Sequence, residues 1–112
     1  MIITKSKPFT KDEIEKLQEE YKTYIKTVID IDRKTCCAGM NMHVDGEQLL
    51  LQNDSQQSSV WGGGFDTMTK EITYNSFINV RPQDGNRSNF IEKEAIRKAY
   101  GKLTEYFFKE IL

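Results

Sequence analysis

The stretch KTVIDIDRKTCCAGMNMHV, residues 26–44, decides the fold class. Its first part, TVIDI, is rich in β-branched residues and alternates in polarity, which is typical of a strand. DRKT (32–35) supplies a turn, and CCAGMNMHV (36–44) resumes the extended pattern. Two strands joined by so short a turn pair antiparallel. Alternation along the second strand places Met40, Met42 and Val44 on one face and Asn41, His43 and Asp45 on the other.

Helices are predicted on both sides of this hairpin. Thr10 and Glu13 form the pattern of a capping box, and apolar residues follow at helical spacing, so a helix is predicted from about residue 11 to about residue 25. DGEQLLLQND (45–54) is typical of a short helix that Asp45 caps. A long final helix is predicted to start at a cap on Ser88 or Asn89. Its predicted buried stripe consists of Ile96, Ala99, Tyr100, Leu103, Phe107 and Ile111.

Further strands complete the predicted sheet. One surrounds Trp61, which either fills the core or floors a pocket, and the three glycines after it indicate a bulge or a close backbone approach. ITYNSFINVR (72–81) has the clearest alternation, and Pro82 ends it. IITK (2–5) suits a short edge strand. The sequence therefore predicts an α+β fold in a single domain, 1–112: an antiparallel sheet of about four strands, long N- and C-terminal helices and a short central helix.

Composition narrows the classes of function. The 112 residues carry a net charge of −1, which argues against broad nucleic-acid binding, because displacing phosphate counterions needs a basic face. No apolar run is long enough for a membrane span, and the N-terminus lacks the apolar segment of a signal peptide. Cys36 and Cys37 are adjacent and provide no disulfide framework. We therefore expect a cytoplasmic protein with no membrane partner, metal or other cofactor.

The first candidate site is HVDGE (43–47). On a strand His43 and Asp45 would share a face, and such a pair suits general acid–base catalysis. One histidine and two adjacent cysteines fall short of a classical metal site. The alternative is structural: Asp45 caps the short helix, and His43 bonds a neighbouring backbone group.

The second candidate site is the loop within FINVRPQDGNRSNFIE (77–92). A strand end, a polar loop and a helix N-terminus together favour anion binding, because free amides and the helix dipole attract negative charge. Arg81 and Arg87 add guanidinium groups that match phosphate or carboxylate. The predicted ligand-binding residues are Asn79, Arg81, Asn86, Arg87 and Ser88. The alternative is a structural loop whose arginines pair with acids such as Asp84, Glu92 or Asp45.

Five segments carry a resemblance to a known family: VIDID (28–32), HVDGEQLLL (43–51), SQQSSVWG (55–62), FINVRP (77–82) and GNRS (85–88). On these motifs, residues 10–100 resemble a family of small uncharacterised bacterial proteins, a domain of unknown function. The resemblance implies a bacterial, cytoplasmic, stand-alone domain and no assigned activity. The polar positions that match the motifs are His43, Asp45, Asn79, Arg81, Asn86, Arg87 and Ser88.

Three functions remain open. The first is a binding or interaction module that holds an anionic small molecule at the 79–89 loop and breaks no bond. The second is a homodimeric structural or regulatory protein, paired through an edge strand or through Tyr106, Phe107 and Phe108, at least one of which cannot face the core. The third is an enzyme for a phosphorylated or nucleotide substrate, with His43 as acid or base and Asp45 orienting it. No covalent nucleophile motif is present, which favours the first.

Overall fold

The computed structural model describes residues 1–112 and contains three helices and five strands. The helices are α1 (Lys11–Glu20), α2 (His43–Gln52) and α3 (Glu94–Phe107). The strands are β1 (Ile3–Lys5), β2 (Tyr24–Asp30), β3 (Thr35–Ala38), β4 (Val60–Asp66) and β5 (Ile72–Thr73). Single 3₁₀ turns lie at Gln57–Ser59, Phe77–Asn79, Pro82–Asp84 and Lys109–Ile111. The predicted α+β class is confirmed, with five strands rather than about four.

The strands form one antiparallel sheet in the order β1-β3-β2-β4-β5. The predicted hairpin is its centre: Val28 of β2 lies opposite Cys37 of β3 on one side and opposite a β4 residue on the other. The turn between β2 and β3 closes without glycine. The Asp30 carboxylate accepts the N–H groups of Asp32 and Arg33, and Lys34 adopts a φ of 55°.

Alternation along the strands gives the sheet two apolar faces. On one face Ile25, Ile29 and Phe65 pack in the main core with residues of α1 and α3, such as Leu17 and Tyr100. On the other face a smaller core joins the sheet to α2, formed by Val28, Cys37, Met40, Leu50 and Val60. The sheet therefore separates α2 from the two terminal helices.

The first helix begins as predicted and ends earlier. The Thr10 hydroxyl accepts the N–H of Glu13, and the Glu13 carboxylate accepts the N–H of Thr10, so the capping box is confirmed. The helix ends at Glu20 rather than near residue 25, because the chain from Tyr24 onward enters β2. Apolar spacing alone does not separate the end of a helix from the start of a buried strand.

The predicted strand over residues 36–44 is wrong beyond Ala38. Gly39 takes a φ of +91°, which a side chain would disfavour, and turns the chain off the sheet. Helix α2 then begins at His43, with Met42 at the cap position and no side-chain cap. Asp45 therefore lies inside the first helical turn and does not cap the helix as predicted.

The three consecutive glycines of β4 pair in unbroken register with β2, so the predicted bulge is absent and a close approach is present. A Cβ atom on Gly62 would lie 2.7 Å from the Cβ of Ser76. A Cβ atom on Gly63 would overlap the carbonyl oxygen of Thr73. Trp61, directly before them, is 3% exposed and packs in the main core.

The predicted strand over residues 72–81 is wrong beyond Thr73. The Ser76 hydroxyl accepts the N–H of Ile78 and starts the 3₁₀ turn at Phe77–Asn79. The chain thus leaves the sheet halfway along the segment that showed the clearest alternation.

The final helix begins at Glu94, not after Ser88 or Asn89, and has no side-chain cap. Its predicted stripe packs against the main core, with Tyr100 and Phe107 fully buried. One aromatic of the YFF run, Tyr106, is 41% exposed, which confirms that the three cannot share one core. No helix of the chain is both long and apolar enough to cross a membrane.

Candidate ligand-binding cleft and the polar loop beside it

Asn79 takes the place of a strand at the free edge of β4. Its side-chain oxygen accepts the N–H of Gly62 at 2.9 Å, and its side-chain nitrogen donates to the Gly62 carbonyl at 2.9 Å. The same nitrogen lies 3.0 Å from the carbonyl oxygen of Asn89. Because Asn79 is fully buried, these bonds satisfy backbone groups that no water reaches. Its amide is therefore used within the fold.

Arg81 closes the same edge of β4. Its guanidinium donates to the carbonyl groups of Gln57, Val60 and Ile78 and lies 4.0 Å from the centre of the Trp61 ring. The side chain is 2% exposed and pairs with no carboxylate at ion-pair distance. Burial lowers the pKa of the guanidinium, and the negative charge of Glu47 acts in the opposite direction. Carbonyl groups, rather than the predicted acids, are its partners.

The loop after Arg81 is held by Asn86 and Glu92. The buried side-chain nitrogen of Asn86 lies within 2.9 Å of the carbonyl oxygens of Asn79, Ser88 and Phe90. One carboxylate oxygen of Glu92 accepts the N–H of Arg87, the N–H of Ser88 and the Ser88 hydroxyl. These bonds, that of the Arg87 N–H first, lower the pKa of Glu92. The loop thus does surround an anion, and that anion is the protein's own carboxylate.

The five predicted ligand-binding residues consequently divide into two groups. Asn79, Arg81 and Asn86 are buried, with their donors directed to backbone carbonyls. Arg87 and Ser88 lie on the surface. Of these five side chains, only that of Arg87 has no hydrogen-bond partner in the protein.

His43 lies at the start of α2 and bonds the sheet. Its Nε2 is 2.7 Å from the Gly63 carbonyl oxygen, so Nε2 carries the proton and Nδ1 is left as an acceptor in the neutral ring. Burial lowers the pKa of His43, the bond to Gly63 opposes that shift, and the charge of Lys26 adds to it. Asp45 is exposed and forms no bond to His43. The predicted acid–base pair is therefore not formed, and a backbone group orients the histidine.

A cleft of about 280 Å³ opens beside His43, between the start of α2 and the segment before Asn79. Its polar lining consists of Lys26 of β2, Asn41, His43 at the start of α2, and Ser76. Its apolar lining is unusually exposed: Phe77 is 83% and Met42 62% exposed. The complete lining is Lys26, Asn41, Met42, His43, Val44, Ser76, Phe77 and Ile78.

The structure brings one predicted site residue to this cleft and leaves the arginines outside it. His43 shares the cleft with Phe77 and Ile78, which directly precede the predicted 79–89 anion loop, whereas neither Arg81 nor Arg87 lines it. Sequence reasoning missed Lys26, whose signal was present: it is the only cation in β2. It also missed Phe77, because the strand predicted there hid its exposure.

The positive charge of Lys26 is fixed at the cleft wall. Its ammonium group donates to the Asn41 carbonyl at 2.6 Å and has no carboxylate within ion-pair distance. An ammonium group has three donors, so two remain free. The backbone N–H groups of His43 and Val44, at the uncapped start of α2, donate to no protein acceptor. No three His, Cys, Asp or Glu side chains of the chain converge closely enough to hold a metal ion.

The shifted pKa of His43 predicts a specific loss of stability in mild acid. Since the folded pKa lies below the ordinary 6.5, the unfolded chain takes up the proton first. The stability that the neutral His43 contributes to the fold is complete above the pKa of the unfolded chain, and it is lost as the pH falls below about 6.5. Urea unfolding at about pH 7.5 and about pH 5.5 should therefore show a larger loss for the wild type than for His43→Gln. Equal losses in the two proteins would show that burial of His43 does not couple folding to pH.

Comparison with known proteins gives a family and no activity. The model of a family described as "Protein of unknown function (DUF5674)" matches residues 1–107. No curated protein and no solved structure matches the chain. The match spans every element of the sheet, α1, α2 and all of α3. The chain therefore belongs to DUF5674, a family of proteins of unknown function.

Proposed function

We propose that this protein is a binding module whose ligand occupies the cleft between the start of α2 and residues 76–78. The observation that carries the proposal is the exposure of Phe77 and Met42 at its rim, 83% and 62%. Large apolar side chains so exposed, grouped around a concave site with a few polar groups, are typical of ligand and partner sites. The cavity volume of about 280 Å³ suits a small molecule.

Binding without chemistry is supported by the state of the cleft's titratable groups. A general acid or base needs a free nitrogen that can exchange a proton with the substrate. The Nε2 of His43 is engaged by the Gly63 carbonyl, so Nδ1 is the one free nitrogen, and no carboxylate lines the cleft to raise its basicity. The hypothesis of an enzyme built on His43 and Asp45 therefore lacks the contact between the two that it requires.

An external anion at the 79–89 loop stays a prediction, and it now depends on Arg87. The amides that would have received the anion already bond the Glu92 carboxylate. A rise in Tm with inorganic phosphate that Arg87→Ala abolishes would support that site. The same titration leaves the cleft proposal unaffected, because Arg87 does not line the cleft.

Self-association is a second candidate function, favoured by the same exposed side chains. Two copies could bury Phe77 and Met42 against each other. Pairing through a sheet edge is less favoured, because the edge strands β1 and β5 have only three and two residues. Sedimentation at increasing concentration separates the alternatives: a dimer that Phe77→Ala dissociates would assign the exposed rim to self-association.

Replacing Phe77 with alanine should weaken ligand binding and leave the fold intact. The side chain is 83% exposed, so its removal costs little on folding. A ligand that loses about 40 Å² of apolar contact loses about 1 kcal/mol, or on the order of fivefold in affinity. The measurement is a methyl NMR titration with a neutral aromatic probe, benzyl alcohol, which should shift the methyl signals of Met42 and Val44.

Met68→Ala is the matched control for this experiment. Met68 is 75% exposed but does not line the cleft, so its removal should change neither Tm nor affinity. If benzyl alcohol shifts the Met68 methyl as much as that of Met42, binding is diffuse and the cleft is not a site. Equal weakening by the two substitutions would lead to the same conclusion.

A further inference from the structure

The charge of the residues that line the proposed binding cleft limits the chemical class of its ligand. Eight residues line it, of which Lys26 alone is charged at neutral pH and none is acidic. His43 adds no charge there, because its pKa lies below the ordinary value. Lys26 is partly exposed and pairs with no carboxylate, so its charge is open to a ligand.

The free donors of the residues that line the cleft suit one small anionic group. Lys26 is held against the Asn41 carbonyl and keeps two free donors. The free N–H groups of His43 and Val44 belong to the first turn of a ten-residue helix, where the helix dipole favours negative charge. A phosphate dianion is normally met by several cations or guanidinium forks, whereas one ammonium and two amides match the single charge of a carboxylate.

The rest of the cleft is apolar. Met42, Val44, Phe77 and Ile78 form the walls, and besides Lys26 and His43 the polar side chains are those of Asn41 and Ser76. A fully hydrated or highly polar body would gain little from these walls, whereas an alkyl or aryl group would be removed from water. The lining thus combines a single cation with apolar walls.

We infer that the ligand is a small carboxylic acid with an alkyl or aryl body, its carboxylate on Lys26 and the start of α2. This inference rests on the proposed function, because it assigns a ligand class to the same cleft. The carboxylate accepts from the Lys26 ammonium and from the amides of His43 and Val44, and the body lies against Phe77 and Met42.

The test compares an acid with its neutral isostere. 4-Phenylbutyrate and 4-phenylbutanamide have the same body and differ in charge. Calorimetric titration near neutral pH should give at least about tenfold tighter binding of the acid, because hydrogen bonds to a charged group are the stronger ones. Lys26→Met should lower the affinity for the acid about tenfold and leave that for the amide unchanged.

Lys22→Met provides the matched control. Lys22 is exposed, precedes the same strand and does not line the cleft, so its removal should leave both affinities unchanged. Equal weakening of acid binding by the two lysine variants would overturn the inference, because the attraction would then be a general charge effect. Tighter binding of inorganic phosphate than of 4-phenylbutyrate would overturn it as well.

The outcomes also separate this inference from the proposed function. If acid and amide bind the cleft equally well, the ligand class is wrong and the binding module stands. If neither of them nor benzyl alcohol shifts the methyl signals of Met42 and Val44, both proposals fail.

Discussion

Gly63→Ala is expected to destabilise the fold by about 3 kcal/mol or more, the largest effect of any single methyl group added to the sheet. A Cβ atom at this position would overlap the Thr73 carbonyl oxygen and lie 2.9 Å from both Cε1 and the hydroxyl of Tyr100. The first neighbour is backbone, fixed by the pairing of β4 with β5, and the second is a fully buried ring. Moving Thr73 would break its pairing with Gly64, and moving Tyr100 would break its bond to the Thr27 hydroxyl. Urea unfolding monitored by circular dichroism measures the loss.

Gly64→Ala is the control, since it adds the same methyl group one residue further along β4. Its nearest neighbour would be the Tyr24 ring, which is 36% exposed and free to rotate outward. The cost should be about 1 kcal/mol, mostly the lost bond between the hydroxyls of Tyr24 and Thr73. Similar losses at both positions would mean that strand propensity, rather than the approach of β5 and Tyr100, requires glycine here.

Asn79→Ala should cost about 3–5 kcal/mol. The substitution leaves the N–H and the carbonyl of Gly62 buried without partners, and each unsatisfied buried group costs about 1–3 kcal/mol. The free energy of unfolding measures the total. Hydrogen exchange gives the location: the Gly62 amide should lose its protection first, because its acceptor is the side chain that was removed.

Two further variants make this result specific. Asn75→Ala removes an exposed amide that forms no side-chain bond, so it should change stability by less than about 0.5 kcal/mol. Asn79→Asp keeps an acceptor for the Gly62 N–H but places a carboxylate against the Gly62 carbonyl, so it should be nearly as harmful as alanine. A mild effect of Asn79→Asp would show that the donor half of the amide contributes little.

The parts of the fold that local chemistry determines could be predicted from the sequence. The capping box at Thr10 needs only residues three apart, and the β2–β3 hairpin needs only adjacent segments. The apolar stripe of α3 follows from helical periodicity. Each of these features depends on residues close together in the sequence, so their spacing and type are enough to predict it.

Two of the errors arose where a side chain replaces a backbone partner from a distant segment. Residues 72–81 alternate as a strand, yet the Asn79 amide, rather than another strand, pairs with Gly62 seventeen residues away. Glu92 follows Asn89 by three residues, the spacing of a capping box, yet its carboxylate accepts the N–H groups of Arg87 and Ser88 instead. No local pattern distinguishes these uses, because they depend on which backbone groups the rest of the fold leaves unpaired.

The candidate site was predicted only in part for the same reason. The sequence marks His43 as the one histidine, and a bond to a neighbouring backbone group is one of the two interpretations that it allows. Its surroundings depend on the turn at Gly39, which moves the residue from a strand to the start of α2. Lys26 and Phe77 join it only after the sheet has formed, since fifty residues separate them along the chain.

The closure of β4 by Asn79 and Arg81 has a consequence for behaviour at high concentration. An open strand edge is a template on which another chain can add, and that addition is a common route to aggregation. Here the Val60 carbonyl and both backbone groups of Gly62 are occupied by side chains of the same molecule. Losing the side chain of Asn79 or Arg81 would therefore weaken the fold and also leave backbone groups of β4 free to pair with another chain. Such variants should form insoluble material well below the temperature at which the native protein unfolds.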